Sequence, residues 1–312
     1  MKNKKINICL VGVGSIGSVH FDAYKSIKNI NLFIIEKDSN KIEKLSIAGF
    51  KVFDDLSKID LSIIDLFDIC LPTPCHKLTI EKLVKLPRAK ILCEKPLTES
   101  LATTIEVLSK IKKPKNLFCA FTERFHEPFM IMKAWTYKNP GPYTLDFVRR
   151  TKIPPSNHWT RHKTDKPNIL LDLGIHDIDL ALWLTSSNPL NIKAYTIGEL
   201  STSFTSKFSN KSDVSFYEGW DLPEDDNQGI LNKVKLIASN GNFIEYDSSS
   251  EEIITNTENK QIRARFPEAY YDEIKHAINL ARSDTDESRF PQPKELIAGI
   301  EFYEMIKQNR PL

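Results

Sequence analysis

Ile6-Asn7-Ile8-Cys9-Leu10-Val11, Gly12-Val13-Gly14-Ser15-Ile16-Gly17, a helical stretch, and then a second apolar run ending in Glu36 make up the segment that decides the fold. This is G-x-G-x-x-G placed between a strand and a helix. In that setting the first glycine allows a tight turn. The second lets backbone approach a pyrophosphate, and the third lets the helix pack close to the strand. The helix N-terminus, at Ser15 and Ile16, offers N–H groups and a partial positive charge to phosphates. Glu36 follows Gly17 by 19 residues, the spacing at which a carboxylate accepts hydrogen bonds from an adenosine ribose. The implied cofactor is a dinucleotide. The acid repels a 2′-phosphate, so NAD is favoured over NADP, although Lys37 follows directly.

Outward from this segment, strand and helix patterns alternate as far as residue 122. The strand-like runs are Ile6–Val11, Leu32–Ile35, Leu66–Leu71, Lys90–Cys93 and Leu117–Phe121, with helical stretches such as Thr98–Ile111 between them. Alternation of this kind predicts a doubly wound parallel sheet of Rossmann type over residues 1–122. From about residue 142 the strand-like runs follow one another: 144–151, 192–197, 214–217, 233–238, 242–246, 252–255 and 261–266. Asn240-Gly241 is a hairpin signal between two of them. Residues 123–312 are therefore expected to form an α+β domain with a mostly antiparallel open sheet. Helical stretches at 268–282 and 293–308 close the chain around a polar linker at 283–291, and the closing helix is allowed to pack back on the first domain. The fold class is α/β.

Composition narrows the function. Among 312 residues the net charge is +2, with acids and bases interspersed, which lacks the clustered basic footprint of a nucleic-acid binder. No apolar run approaches a membrane span or a signal-peptide core. The five cysteines contain no C-x-x-C pair and fall mostly in apolar runs. Reduced thiols in a cytoplasmic protein are expected from that usage.

Three further features carry chemistry. Leu71-Pro72-Thr73-Pro74-Cys75-His76 closes a strand where ligands of open parallel sheets sit. It reads either as a rigid loop along a nicotinamide or as a plain strand-to-helix turn. Cys93-Glu94-Lys95-Pro96 closes the next strand. Its ammonium either stabilises charge developing on a substrate oxygen or belongs to a surface ion pair. The stretch Asn168–Leu184 is apolar on nearly every face yet contains Asp172, His176 and Asp179 at i, i+4 and i+7. Read as one helix, it stacks the three in a stripe, and buried acids beside a histidine need partners or a task. A histidine oriented by a carboxylate is a general acid–base pair. The other readings are a satisfied core histidine and a zinc site. The H-E-x-x-H pattern is missing, and no metal is expected.

Taken together, the glycine loop, Glu94-Lys95-Pro96 and Asp172-x-Gly174-x-His176-x-x-Asp179 resemble the Gfo/Idh/MocA oxidoreductases, a family that includes inositol dehydrogenase and glucose–fructose oxidoreductase. The resemblance covers almost the whole chain. It implies an NAD-dependent oxidoreductase acting on a secondary hydroxyl or ketone of a sugar, cyclitol or nucleotide sugar. By the same resemblance Lys95, Asp172 and His176 are catalytic and touch substrate, and Arg124 lines the substrate side. Gly12, Gly14, Ser15, Ile16, Gly17, Glu36, Thr73, Pro74, His76 and Glu94 line the cofactor. A homo-oligomer, dimer or tetramer, through the second sheet is implied as well. Thr122-Glu123-Arg124-Phe125-His126-Glu127-Pro128 and Asp172-Leu173-Gly174-Ile175-His176-Asp177-Ile178-Asp179 are similar to members that oxidise the 3-hydroxyl of UDP-N-acetylglucosamine. Two departures bear on substrate choice. Lys166-Pro167-Asn168 stands where many members have glycines, and the usual E-P-L is missing near Ala269. The rival functions are a non-catalytic NAD sensor and a lyase or hydrolase that oxidises only transiently.

Overall fold

A computed structural model describes residues 5–155, 168–197, 200–227, 229–261, 266–283 and 288–308. The chain divides into two compact units, residues 1–125 with 265–293 and residues 126–264 with 294–312.

The first unit is built on a six-stranded parallel sheet in the order β3-β2-β1-β4-β5-β6. Its strands are β1 (Ile6–Val11), β2 (Ile30–Ile35), β3 (Lys51–Phe53), β4 (Leu66–Ile69), β5 (Lys90–Glu94) and β6 (Leu117–Ala120). This is the strand order of a dinucleotide-binding Rossmann sheet, with its switch point between β1 and β4. The five expected runs are all strands. The extra strand, β3, is a three-residue edge without the apolar length that marks the others. Because helices cover both faces of such a sheet, the central strands are mostly apolar, interrupted by Asn7 in β1 and Asp68 in β4; Ile8, Leu10, Leu66 and Leu92 have no exposed surface. Helices α1 (Ser15–Ser26), α2 (Ser39–Ile47), α3 (His76–Leu83) and α4 (Leu101–Lys110) link the strands. Asp38 caps α2 through the N–H groups of Asn40 and Lys41, and Ser100 caps α4 through that of Thr103. Although it lies late in the sequence, the helix Phe266–Arg282 belongs to this unit. Its Ile274, Ala277 and Ile278 join the core cluster around Tyr24 and Phe118.

The second unit carries an eight-stranded sheet in which β10 (Asp213–Gly219) and β7 (Tyr143–Thr151) pair parallel and the other pairs are antiparallel. Its other strands are β8 (Pro189–Ile197), β9 (Ser201–Phe208), β11 (Ile230–Ala238), β12 (Phe243–Asp247), β13 (Glu252–Thr255) and β14 (Asn259–Gln261). The expected hairpin is present: Gly241, at φ +82°, turns β11 into β12. β9 lacks a clear strand signal, because Ser201, Ser203, Thr205 and Lys207 occupy its outward positions and the inward face mixes Thr202 and Ser206 with Phe204 and Phe208. The run expected as a strand over 261–266 ends at Gln261; residues 262–265 lie outside the described residues, and Phe266 already starts the helix. Helices α5 (Glu127–Lys138), α6 (Ile175–Thr185) and, with Phe266–Arg282 numbered α7, α8 (Pro293–Gln308) complete the chain. Phe147, Phe204 and Phe216 stack in the core with centroids 5.2 and 4.5 Å apart, and Phe302 of α8 meets them edge-on.

Candidate functional site

The glycine loop has the geometry its sequence demands. Gly12 sits at φ +93°, a conformation that side chains disfavour. A Cβ on Gly17 would lie 2.1 Å from the Gly12 carbonyl oxygen, so only glycine lets α1 approach this closely. A Cβ on Gly14 would meet nothing within 4 Å. The second glycine thus faces open space, the cradle a pyrophosphate requires. No side chain caps α1 at Gly14, and Ser15 and Ile16 open the helix. The Glu36 carboxylate accepts hydrogen bonds from the N–H groups of Val13 (2.9 Å), Lys37 (2.7 Å) and Asp38 (3.0 Å). Partial burial disfavours its charge, but these bonds and nearby Lys41 outweigh that and hold it below the usual carboxylate range. Lys41 donates from Nζ to the Val13 carbonyl at 2.7 Å. This cation beside the loop was missed in the sequence, where it is one of many lysines.

Thr73 and Pro74 form a short 3₁₀ turn after β4. His76 is fully buried; its Nδ1 is 3.0 Å from the Pro96 carbonyl and its Nε2 2.7 Å from that of Leu71. Burial lowers its basicity, and the ring ties the loop after β4 to the loop after β5. Glu94 ends β5 buried, and Lys95 beside it is half-exposed. Arg124 is buried, with a guanidinium contact to the Arg289 carbonyl at 3.5 Å.

Behind Glu94 lies a charged group that the sequence did not disclose. His20 of α1, fully buried, places Nδ1 2.8 Å from Asp68 and Nε2 3.1 Å from Glu94. The second contact is off-line for a hydrogen bond and acts as a Coulombic one. Tyr24 donates to the same Asp68 oxygen at 2.8 Å. His20, Asp68 and Cys70 present ligand-type atoms within 4.8 Å of one another. Two ligands of a tetrahedral zinc stand about 3.3 Å apart, whereas 2.8 Å between Nδ1 and the carboxylate is a hydrogen bond. The available signal was Asp68 itself, an acid in the middle of an apolar strand.

In the second unit the expected single helix over 168–184 is divided. Leu170–Gly174 is a π-turn, with the Ile175 N–H reaching the Leu170 carbonyl, and α6 follows. Asn168 starts it by accepting the Leu171 N–H on its side chain. The wider turn breaks the regular i, i+4, i+7 stacking. Asp172 and His176 are half-buried on a segment otherwise buried from Ile169 to Leu182, while Asp179 is 4% exposed and faces the interior. Asp177 is fully buried and takes a bidentate grip from Arg149 at 2.6–3.1 Å. Arg149 is paired in register with Glu218 on one side and Asn232 on the other, so a buried polar row crosses the sheet under the π-turn. Burial and then the Asp177 charge push the Glu218 carboxyl well above its usual range. Gly174 lies over this row: a Cβ there would be in ordinary contact with Glu218 Cγ at 3.5 Å and tighter against Leu170 Cδ2 at 3.1 Å. Charged residues at the inward positions of alternating strands were the signal in the sequence.

Residues 6–121 match the family model of the Gfo/Idh/MocA oxidoreductases, described as an oxidoreductase family with an NAD-binding Rossmann fold. The matched residues lie within the first unit. Over 188 residues the chain is 28% identical to myo-inositol 2-dehydrogenase of Thermotoga maritima, a match covering 57% of this chain and 54% of that protein. The chain therefore spans little more than half the length of this curated relative. UDP-N-acetylglucosamine 3-dehydrogenase of Acidithiobacillus ferrooxidans has the same fold, with TM-score 0.81 and 15% identity over 97% of both chains. So has GenD2 of gentamicin A biosynthesis, solved with NAD, at TM-score 0.81 and 16% identity over 98% of this chain and 95% of that one. The residues present fit an NAD-type dinucleotide: Gly14 faces open space, and the Glu36 carboxylate, just after β2, accepts the Val13 N–H of the loop.

Proposed function

We propose that the chain is an NAD-dependent oxidoreductase acting on a secondary hydroxyl or ketone of a cyclitol, sugar or nucleotide sugar, with UDP-N-acetylglucosamine among the substrates to try first. The observation that carries the reading is the pair Asp172 and His176, half-buried on a segment whose neighbours are sealed from solvent. A purely structural histidine on such a helix would be sealed with them.

Gly12, Gly14, Ser15, Ile16, Gly17 and Glu36 hold the dinucleotide, and Thr73, Pro74, His76 and Glu94 shape its nicotinamide side. Bound NAD supplies the hydride acceptor. His176 takes the hydroxyl proton at an imidazole nitrogen, Asp172 orients the substrate, and the Lys95 ammonium stabilises negative charge on the substrate oxygen. Arg124 acts on the substrate side by supporting its loop, given its burial. A homo-oligomer through the second sheet and a cytoplasmic location complete the reading. Two observations support them: the half-buried outward side chains of β9 and five free cysteines. No helix among the described residues is long and apolar enough to cross a membrane.

The test is a panel of cyclitols, sugars and nucleotide sugars assayed with NAD. Net NADH from at least one of them is the expected result. Tight NADH binding with no turnover on the whole panel indicates a sensor, and product without net NADH indicates transient oxidation; either result overturns the proposal.

A further inference from the structure

We propose that His20 is a positioning residue, an imidazolium clamped between Asp68 and Glu94 that locks Glu94 and the backbone of Lys95 to the glycine-loop helix. The proposal rests on the reading of Lys95 given above and adds a residue to it. His20 lies one turn after Gly17 on α1. Asp68 is on β4, and Glu94 ends β5. One ring therefore joins three elements that meet at the switch point of the sheet. Glu94 spends its other oxygen on the Lys95 N–H, 3.2 Å away. The link from α1 to the loop carrying Lys95 thus runs through one carboxylate.

The charge state follows from the surroundings. Asp68 is fully buried and Glu94 nearly so. Two carboxylates at that depth need a cation, and removing one partner of a buried ion pair costs far more than the pair contributes. A neutral ring would turn a lone pair toward one of the two carboxylates. The groups facing His20 are Asp68 and Cys70 from β4 and the residue after it, Glu94 from β5, Tyr24 from its own helix, and Tyr270 from α7, whose ring centroid is 5.7 Å away. Glu273 of α7 stands behind them, bonded to the Thr122 hydroxyl at 2.8 Å. Burial opposes a charge on His20, but Asp68, with help from Cys70, outweighs it and lifts the imidazole well above its ordinary range. For Glu273 burial and then the Glu94 charge raise the carboxyl well above its ordinary range. His20 is therefore the cation on which the cluster is organised.

The experiment has a part that needs no substrate. Imidazole ¹⁵N shifts of the wild-type protein should show His20 doubly protonated at about pH 8, above the ordinary histidine range. His20→Gln keeps the shape and removes the charge. Lys95 should then react several-fold faster with an amine-acylating reagent, while Lys77 and Lys110 react as before. NADH affinity should change less than about threefold, and turnover should fall about ten- to a hundredfold from misplacement of Lys95. If Asp68, left unpaired, unfolds the variant, His20→Gln with Asp68→Asn removes both charges and should give the same Lys95 labelling. A neutral His20 at pH 8, a stoichiometric metal ion bound to it, or wild-type Lys95 labelling in a folded variant overturns the proposal. Labelling and NMR do not depend on finding a substrate. A protein with no dehydrogenase activity therefore refutes the proposed function while leaving the role of His20 to be read.

Discussion

At the scale of single residues, the proposed preference for NAD turns on Glu36. Its carboxylate is held ionised by three backbone N–H groups and Lys41, and an adenosine 2′-phosphate would face that charge. Glu36→Ser removes the repulsion and leaves Lys41 beside the loop. The affinity ratio of NADPH to NADH should rise about tenfold or more, ~1.4 kcal/mol. Titration of both cofactors against wild type and variant measures it; an unchanged ratio would mean Glu36 does not face the ribose. Glu36 was legible because its spacing from Gly17 is set by one helix and one strand, both local. His20, Asp68 and Glu94 were not legible as a group. Their separations along the chain are 48 and 26 residues, and only the sheet order brings them together.

At the scale of elements, the glycines of the loop separate binding from folding. Gly14→Val puts a side chain into open space at an ordinary backbone conformation. The fold should survive by circular dichroism while NADH binding is lost. Gly17→Ala pushes a Cβ against the Gly12 carbonyl and should destabilise the protein by about 1–3 kcal/mol, seen as a lower thermal midpoint. If Gly14→Val binds NADH normally, or Gly17→Ala is as stable as wild type, the phosphate loop has been misplaced. The Rossmann strands were readable because burial on both faces makes most of each an apolar run, broken only singly, as at Asn7, Asn31 and Asp68. The π-turn at Leu170–Gly174 was not, because nothing local distinguishes it from an α-turn. It packs over Glu218, which lies on a strand 44 residues beyond Gly174.

At the scale of the whole molecule, the buried titratable groups set a stability profile. His20, Glu218 and Glu273 all have folded-state pKa values raised well above their ordinary ones. Each keeps a proton in the folded chain that the unfolded chain has already lost, so its contribution is present at low pH and is lost as pH rises. For Glu36, Asp221 and Asp247 burial is the largest single effect and acts upward, but their hydrogen-bond and charge partners together outweigh it and hold each carboxyl below its ordinary range, so these three contribute above the carboxylate range. The thermal midpoint should therefore rise with pH through the carboxylate range, about pH 3–4, and fall from about pH 7 toward pH 9, where His20, Glu218 and Glu273 each hold a proton that the unfolded chain lacks. A midpoint that is flat or rises over that alkaline span would contradict the charges assigned to His20, Glu218 and Glu273. The central claim is tested most directly by comparing wild type and His176→Ala on the substrate that the panel selects, measuring NADH affinity and turnover in parallel. The account predicts unchanged NADH affinity and turnover lowered about a hundredfold or more. A folded His176→Ala variant with wild-type turnover would contradict it.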